Sequence, residues 1–216
     1  MYSDQRFAAF LFDMDGTLLN SIASAERVWS RWAARHGLDV ATFLPTIHGV
    51  RSVETIRRLN LPGVDPEAEA RAITQAEIED TDGIVPIAHA PDFLAALPPD
   101  RWAIVTSAPR ELALRRLRAA GLRVPALLIS AEDVVRGKPA PDCYLMAADR
   151  LGVDAGRCLV FEDAPAGIAA AEAAGARVVV ITATHRHPMR VRHLALADYG
   201  EYRAAADTGG LILARR

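Results

Sequence analysis

Five short apolar segments constrain the fold of this chain most strongly: residues 7–12, 102–105, 126–129, 158–161 and 178–181. None of them alternates apolar with polar residues, which is typical of parallel strands covered on both faces. Helical patterns lie between the later segments, and each begins with a proline and is followed by a glycine, over residues 109–120, 141–151 and 165–174. This alternation predicts an α/β fold with a doubly wound, Rossmann-like parallel sheet.

The interval between the first two apolar segments is much longer than the other intervals and is mostly helical in pattern. Apolar residues recur there with helical spacing, as in Val28, Trp29 and Trp32 and again in Val53, Ile56 and Leu59. We therefore predict an α/β core of residues 1–18 and 88–216, with a helical-bundle cap of residues 19–87 inserted after the first strand. The hinges between the two parts are expected near residues 18–21 and 83–86.

Composition excludes several classes of protein. The net charge of −2 gives no sign of a nucleic-acid-binding surface. No apolar run is long enough to span a bilayer, and residues 1–6 lack the pattern of a signal peptide. The two cysteines, Cys143 and Cys158, lie in apolar surroundings and do not suggest a disulfide framework. We expect a cytoplasmic monomer without a membrane or nucleic-acid partner.

Polar side chains follow four of the five apolar segments, at the edge of the sheet where ligands bind in open α/β folds. In chain order they are Asp13 and Asp15, Thr106 and Ser107, Lys138, and Glu162 and Asp163.

Simple explanations exist for each of these residues taken alone. Paired aspartates before a glycine also occur in turns, hydroxyl residues cap helices, lysines lie in solvent, and acidic residues favour helix N-termini. All four groups are nevertheless expected at one edge, and Lys138 is the only lysine in the chain. Carboxylates suit Mg²⁺, a hydroxyl at a helix N-terminus suits phosphate, and a lysine neutralises phosphate charge. The combination indicates phosphoryl transfer.

In order and spacing, these motifs resemble those of the haloacid dehalogenase superfamily of phosphotransferases. Residues 13–17, Asp-Met-Asp-Gly-Thr, are similar to the first motif, Thr106 to the second, Lys138 to the third and Glu162-Asp163 to the fourth. The phrases at residues 137–142 and 161–168, and the position of the cap, resemble the β-phosphoglucomutase-like branch.

The resemblance implies a Mg²⁺-dependent phosphatase that acts on a small phosphorylated sugar or polyol. Asp13 would attack the phosphoryl group and become an aspartyl phosphate. Asp15 would protonate the leaving oxygen and then deprotonate the attacking water. Mg²⁺ would be held by the Asp13 carboxylate, the main-chain carbonyl of Asp15 and Asp163.

The resemblance also assigns roles around the phosphate. Thr106 and the backbone of Ser107 would hold phosphate oxygens, and Lys138 would bridge the phosphate and the nucleophile. Glu162 would support the site from behind the metal ligands. Arg51, at the start of a cap helix, would clamp the substrate from above, the alternative being an arginine that faces solvent.

Several relatives of the superfamily fit this sequence less well. Dehalogenases typically lack a counterpart of Asp15, and phosphonatases use a cap lysine, which this cap does not contain. A β-phosphoglucomutase-type isomerase would carry an arginine and a lysine in the cap. In this sequence Arg51 can correspond to the arginine, but the lysine has no counterpart. A non-catalytic phospho-aspartate switch is the remoter alternative.

Two other groups of residues invite a functional interpretation. His185, His187 and His193 could suggest a metal site, but a solvated basic loop is the better explanation. Trp29 and Trp32 are expected to pack in the cap core and not to form a platform for a sugar.

Overall fold

The structure, a computed structural model, describes residues 5–187 and 189–216. The expectation drawn from residues 1–6 therefore falls mostly outside the described residues. Within the described part of the chain, every helix is too short or too polar to cross a bilayer.

The strands and helices follow the predicted alternation. The strands are β1 (Arg6–Phe7), β2 (Ala9–Phe12), β3 (Leu19–Asn20), β4 (Val85–Pro86), β5 (Trp102–Val105), β6 (Leu127–Ile129), β7 (Cys158–Glu162), β8 (Arg177–Ile181), β9 (Leu194–Leu196), β10 (Tyr202–Asp207) and β11 (Gly210–Arg215). The helices are α1 (Ile22–Arg35), α2 (Val40–Phe43), α3 (Ser52–Leu59), α4 (Pro66–Glu79), α5 (Ala90–Ala95), α6 (Arg110–Ala119), α7 (Asp142–Arg150) and α8 (Pro165–Ala173).

A six-stranded parallel sheet in the order β6-β5-β2-β7-β8-β9 forms the centre of the core. Phe12, the last residue of β2, pairs in register with Ile104 on one side and Phe161 on the other. The predicted α/β fold class is thereby confirmed. Because β2, β5 and β7 are neighbours and run in the same direction, the polar residues that follow them meet at one edge.

Both faces of this sheet are buried, which explains the unalternating apolar segments. Phe12 stacks on Phe161, with ring centroids 4.6 Å apart, within a large aromatic cluster on one face. Leu11 and Val160 pack on the opposite face against α7 and α8, where Tyr144 is fully buried.

Helices α1 to α4, which we call the helical cap, form a separate apolar cluster over the carboxyl ends of the strands. Trp29, Trp32 and Phe43 pack together there with Ile56 and Ile73. The two tryptophans are buried, so the prediction that they pack in the cap is confirmed, and Trp29 in addition lines the cavity beneath the cap. The chain enters and leaves the cap through the antiparallel pair β3 and β4. The boundaries at residues 19 and 87 stay a prediction.

The C-terminal region contains strands that the sequence did not indicate. Strands β10 and β11 form an antiparallel hairpin, and β11 also pairs with β1, where Phe7 lies opposite Leu211. The segment 7–12, predicted as one strand, is therefore divided between two sheets, with Ala8 between them.

Candidate active site

The loop after β2 carries Asp13 and Asp15 to the edge beneath the cap. Asp13 is buried and Asp15 is partly exposed. Gly16 turns the chain with a φ of +87°, and a Cβ at this position would lie 2.0 Å from Asp163 Oδ2. A glycine is required here both by the backbone conformation and by the close approach of the Asp163 carboxylate.

Lys138 joins the first and last acidic motifs. Its Nζ donates to Asp13 Oδ1 at 2.6 Å, to Glu162 Oε1 at 2.7 Å and to the Val105 carbonyl at 3.1 Å. Lys138 lies between β6 and α7 and is buried. Three hydrogen bonds satisfy the ammonium and fix the Asp13 carboxylate at the edge of the sheet.

The Glu162 carboxylate accepts more hydrogen bonds than the Asp163 carboxylate does. Tyr144 donates its hydroxyl to Glu162 Oε1 at 2.8 Å, and Glu162 Oε2 accepts from the backbone N–H groups of Asp163 and Ala164. Gly167 lets α8 pass close to this carboxylate, because a Cβ there would lie 1.6 Å from Glu162 Oε1. The Asp163 carboxylate accepts a 3.3 Å hydrogen bond from Thr17.

Thr106 and Ser107 follow β5, before α6. Thr106 Oγ1 accepts from the backbone N–H of Ala108 at 3.0 Å, which is a local capping contact. Ser107 donates its hydroxyl to the carbonyl of Gly49 in the cap at 3.1 Å. Both residues line the same cavity as Asp13, Asp15 and Asp163.

Carboxylates outnumber cations at this edge. Asp13, Glu162 and Asp163 each offer an oxygen within 4.8 Å of the others. Burial, with repulsion from Glu162 and Asp15, raises the pKa of Asp13 to about 8 against the opposing effect of Lys138. Burial and then repulsion from Asp13 raise the pKa of Asp163 as well. A hard oxygen-ligated cation fits this donor set, because it would offset negative charge that Lys138 alone does not balance.

Comparison with known proteins places this geometry in a family. The sequence profile of the haloacid dehalogenase-like hydrolases matches residues 7–175, which span every motif described above. The chain belongs to the haloacid dehalogenase-like hydrolases. The resemblance identified from the motifs is therefore confirmed.

Named relatives of this haloacid dehalogenase-like hydrolase include phosphatases. The chain is 40% identical over 185 residues to hexitol phosphatase A of Escherichia coli K12, covering 82% of this chain and 84% of the relative. It is 33% identical over 180 residues to fructose-1-phosphate phosphatase of the same organism, covering 79% and 94%. A family hydrolase of Deinococcus radiodurans, solved with bound phosphate and sodium, is 31% identical with a TM-score of 0.61, covering 86% of this chain and 84% of that one.

Two charged residues of this hydrolase that the sequence did not single out line the same cavity. Arg116 on α6 donates from Nη1 to Asp15 Oδ1 at 3.0 Å, and its Nη2 lies 3.1 Å from Oε1 of Glu77 on α4. Helical spacing was the signal in the sequence that could have indicated their burial. Arg116 follows buried Leu112 by four residues, and Glu77 follows buried Ile73 by four, so each pair shares one face of its helix.

Ser21 and Asn20 at the cap entrance differ in their contacts. Asn20 accepts a local hydrogen bond from the backbone N–H of Ile22. Ser21 instead donates its hydroxyl to Asp15 Oδ1 at 2.5 Å. Asp15 is therefore oriented by Ser21 and Arg116 together.

Arg51 does not join the other predicted site residues in this structure. Its guanidinium donates to the carbonyls of Val134 and Val135, at 3.2 and 2.9 Å, and pairs with Glu54. The side chain thus links the cap to the loop before Lys138 instead of facing solvent. Ser52 lies on the cavity wall in its place.

The histidines near the C-terminus do not form a metal-binding group in the described part of the chain, where Asp13, Glu162 and Asp163 are the grouping of that kind. His193 lies beside Glu172, whereas a ring nitrogen of His185 lies 2.9 Å from the Asp163 carbonyl. The expectation of a solvated loop therefore does not hold for His185, which is partly buried and contacts the site.

Proposed function

We propose that this haloacid dehalogenase-like hydrolase is a Mg²⁺-dependent phosphatase of small phosphorylated sugars or polyols, acting as a cytoplasmic monomer. The named phosphatases among its relatives support hydrolysis of phosphate monoesters. The observation that carries the proposal is the position of Asp13, which lies on the cavity wall with one oxygen fixed by Lys138 at 2.6 Å.

Asp13 is the nucleophile. A carboxylate oxygen of Asp13 forms a bond to phosphorus while the bond from phosphorus to the ester oxygen breaks. Asp15 gives its proton to that ester oxygen, so the product leaves as a neutral alcohol. A water molecule then attacks phosphorus and gives its proton to Asp15, which frees inorganic phosphate and regenerates both aspartates.

Thr106 and the backbone of Ser107 bind the phosphate oxygens. Lys138, whose three donors are used by Asp13, Glu162 and the Val105 carbonyl, holds the nucleophile and adds positive charge beneath the phosphate. The N-terminus of α6 adds backbone N–H groups with the polarity that an anion requires. Mg²⁺ would be held by the carboxylates of Asp13 and Asp163 and by the main-chain carbonyl of Asp15. When bound, it would supply positive charge between the phosphate and the carboxylates.

A phosphate-release assay with a panel of sugar phosphates, polyol phosphates, nucleotides and phosphoglycolate tests this function. We expect release from one or more sugar or polyol phosphates with Mg²⁺, and loss of release when a chelator removes the ion. Absence of release from every phosphate ester, with lasting phosphorylation of Asp13, would instead favour a phospho-aspartate switch.

A β-phosphoglucomutase-type isomerase is not favoured. Such an enzyme must hold a second phosphate, and the described residues of the cavity wall include Arg116 as their one arginine or lysine. Arg116 already contacts two carboxylates. Isomerisation of glucose 1-phosphate that outpaces phosphate release, with a bisphosphate activator present, would overturn this preference.

A further inference from the structure

The ion pair between Arg116 and Glu77 lines the cavity but has no part in the chemistry proposed for Asp13. Arg116 is 5% exposed and Glu77 is 4% exposed, so both charges are withdrawn from water. One belongs to the core and the other to the cap, and the pair therefore lies where the two parts enclose the cavity.

Arg116 has unused hydrogen-bonding capacity. Its Nη1 donates to Asp15, but Nε and Nη2 are buried without a hydrogen-bond partner, since the approach of Nη2 to Glu77 has poor geometry. Buried donors without partners are rare in folded proteins because they are costly. The Arg116 side chain lines the cavity, so a small turn of the guanidinium brings these donors to an acceptor on a bound molecule.

The charges around Arg116 favour an uncharged hydrogen-bond acceptor on the bound substrate. Asp15 and Glu77 flank the guanidinium and already compensate its charge. Burial lowers the pKa of His48, another residue of the wall, so its ring adds no fixed positive charge at neutral pH. A second anionic group on the substrate would meet two carboxylates with little net positive charge to attract it.

The remaining walls of the cavity suit carbon chains. Ile22, Ala25, Trp29, Ile47 and Leu112 provide apolar surface near the polar pair. The cavity thus combines apolar surface with one hydrogen-bond acceptor, the Glu77 carboxylate, and one donor, the Arg116 guanidinium. This combination matches a polyol, in which C–H groups and hydroxyl groups lie side by side.

We propose that Arg116 and Glu77 select the substrate by binding the hydroxyl on the carbon next to the phosphorylated carbon. Arg116 donates to that hydroxyl oxygen, and the hydroxyl donates to Glu77. The position of this hydroxyl on the substrate follows from the contact of Arg116 with Asp15. Because Asp15 protonates the ester oxygen, a group bound by the neighbouring Arg116 lies close to the phosphorylated carbon. The inference rests on the proposed phosphatase function and narrows it to monoesters of neutral polyols and sugars.

Matched substrates test the selection on the unaltered protein. Glycerol 1-phosphate is compared with 3-hydroxypropyl phosphate, and mannitol 1-phosphate with its 2-deoxy analogue, each analogue lacking the neighbouring hydroxyl. We expect kcat/KM to favour a hydroxylated member by at least about tenfold. Equal kcat/KM values within both pairs overturn the inference but leave the phosphatase function intact. Hydrolysis of other sugar or polyol phosphates of the panel but of none of these four also overturns the inference, whereas no hydrolysis of any panel ester contradicts the phosphatase function itself.

Glu77→Gln tests the residue assignment. It keeps the shape of the side chain but removes its charge, and we expect the preference within a pair to fall about tenfold. Glu79→Gln is the matched control on the same helix, because Glu79 is exposed and contacts Gln75, and it should keep the preference. An unchanged preference in an active Glu77→Gln overturns the assignment. If that variant does not fold, the comparison on the unaltered protein decides.

Discussion

Lys138 Nζ lies 2.6 Å from Asp13 Oδ1 and 2.7 Å from Glu162 Oε1, so one ammonium is shared by two buried carboxylates. Burial alone would lower the pKa of Lys138, but attraction to Asp13 and Glu162 raises it well above its usual range. The lysine is therefore charged at neutral pH. Removal of one partner from such a cluster leaves an uncompensated charge in the interior.

Lys138→Met is expected to reduce both stability and hydrolysis. The free energy of unfolding should fall by about 3–5 kcal/mol, and kcat/KM by at least about a hundredfold. Adding Glu162→Gln removes a carboxylate that has lost its partner, and should restore part of the stability but none of the activity. Urea unfolding and phosphate release measure the two quantities. Equal stability of the single and double variants would contradict the charge argument.

Asp163→Asn is expected to weaken Mg²⁺ binding without lowering the stability of the metal-free protein. It removes one of three buried carboxylates that crowd one another. Without metal, the variant should unfold at the same temperature as the parent or at a higher one. The parent should gain thermal stability when Mg²⁺ is added, and the variant should not.

Thermal unfolding with Mg²⁺ or with a chelator measures this difference. Asp154→Asn is a matched control, because Asp154 caps a short helix before the opposite end of β7. It should retain the Mg²⁺-induced shift. A full shift in Asp163→Asn would show that the ion does not use this carboxylate.

Arg51→Met is expected to loosen the attachment of the cap to the core. The variant loses the hydrogen bonds to the carbonyls of Val134 and Val135. Cleavage by a protease in the linker at residues 83–86 should become about tenfold faster, because the opened form is more populated. Arg57→Met is the control on α3, the helix that follows Arg51, since Arg57 pairs with Glu67 inside the cap. Equal cleavage of the two variants would argue against this link.

Asp133 predicts a specific pH dependence of stability. Burial opposes ionisation, but hydrogen bonds from the backbone and hydroxyl of Ser130, together with Arg110, lower the pKa of Asp133 to about 2. A lowered pKa in the folded state adds stability above the unfolded-state value of about 4, and that stability is lost as the pH falls towards about 2.

Asp133→Asn should therefore cost about 1 kcal/mol near neutral pH, a value that allows for solvent screening. The difference from the parent should shrink steadily as the pH is lowered below about 4. Urea unfolding of both proteins over a series of pH values measures it. A difference that stays constant with pH would mean that the loss comes from packing and not from the charge.

Local sequence patterns were sufficient to predict five of the six strands of the central sheet, all but β9, and to bring the polar residues after them to one edge. The segments at residues 102–105 and 158–161 lie within β5 and β7, because continuous apolar runs between proline and glycine signals have few other solutions. The aspartates, the hydroxyl pair and the lysine were found because parallel strands bring their carboxyl ends to one edge.

Contacts between distant parts of the chain could not be predicted in this way. Strand β10 contains three consecutive alanines, which have little intrinsic preference for a strand, and it forms by pairing with β11. The direction of the Arg51 side chain depends on a loop some eighty residues away in sequence. Arg116 and Glu77 were missed for a related reason, since their partners belong to separate elements.

Phosphate release by Asp13→Asn tests the central claim most directly, that Asp13 receives the phosphoryl group. Asparagine retains the size of the side chain but cannot act as the nucleophile, so the variant should remain folded by circular dichroism. We expect kcat on the best substrate to fall by about ten-thousandfold or more. A folded Asp13→Asn that releases phosphate at a rate close to that of the parent would contradict the account.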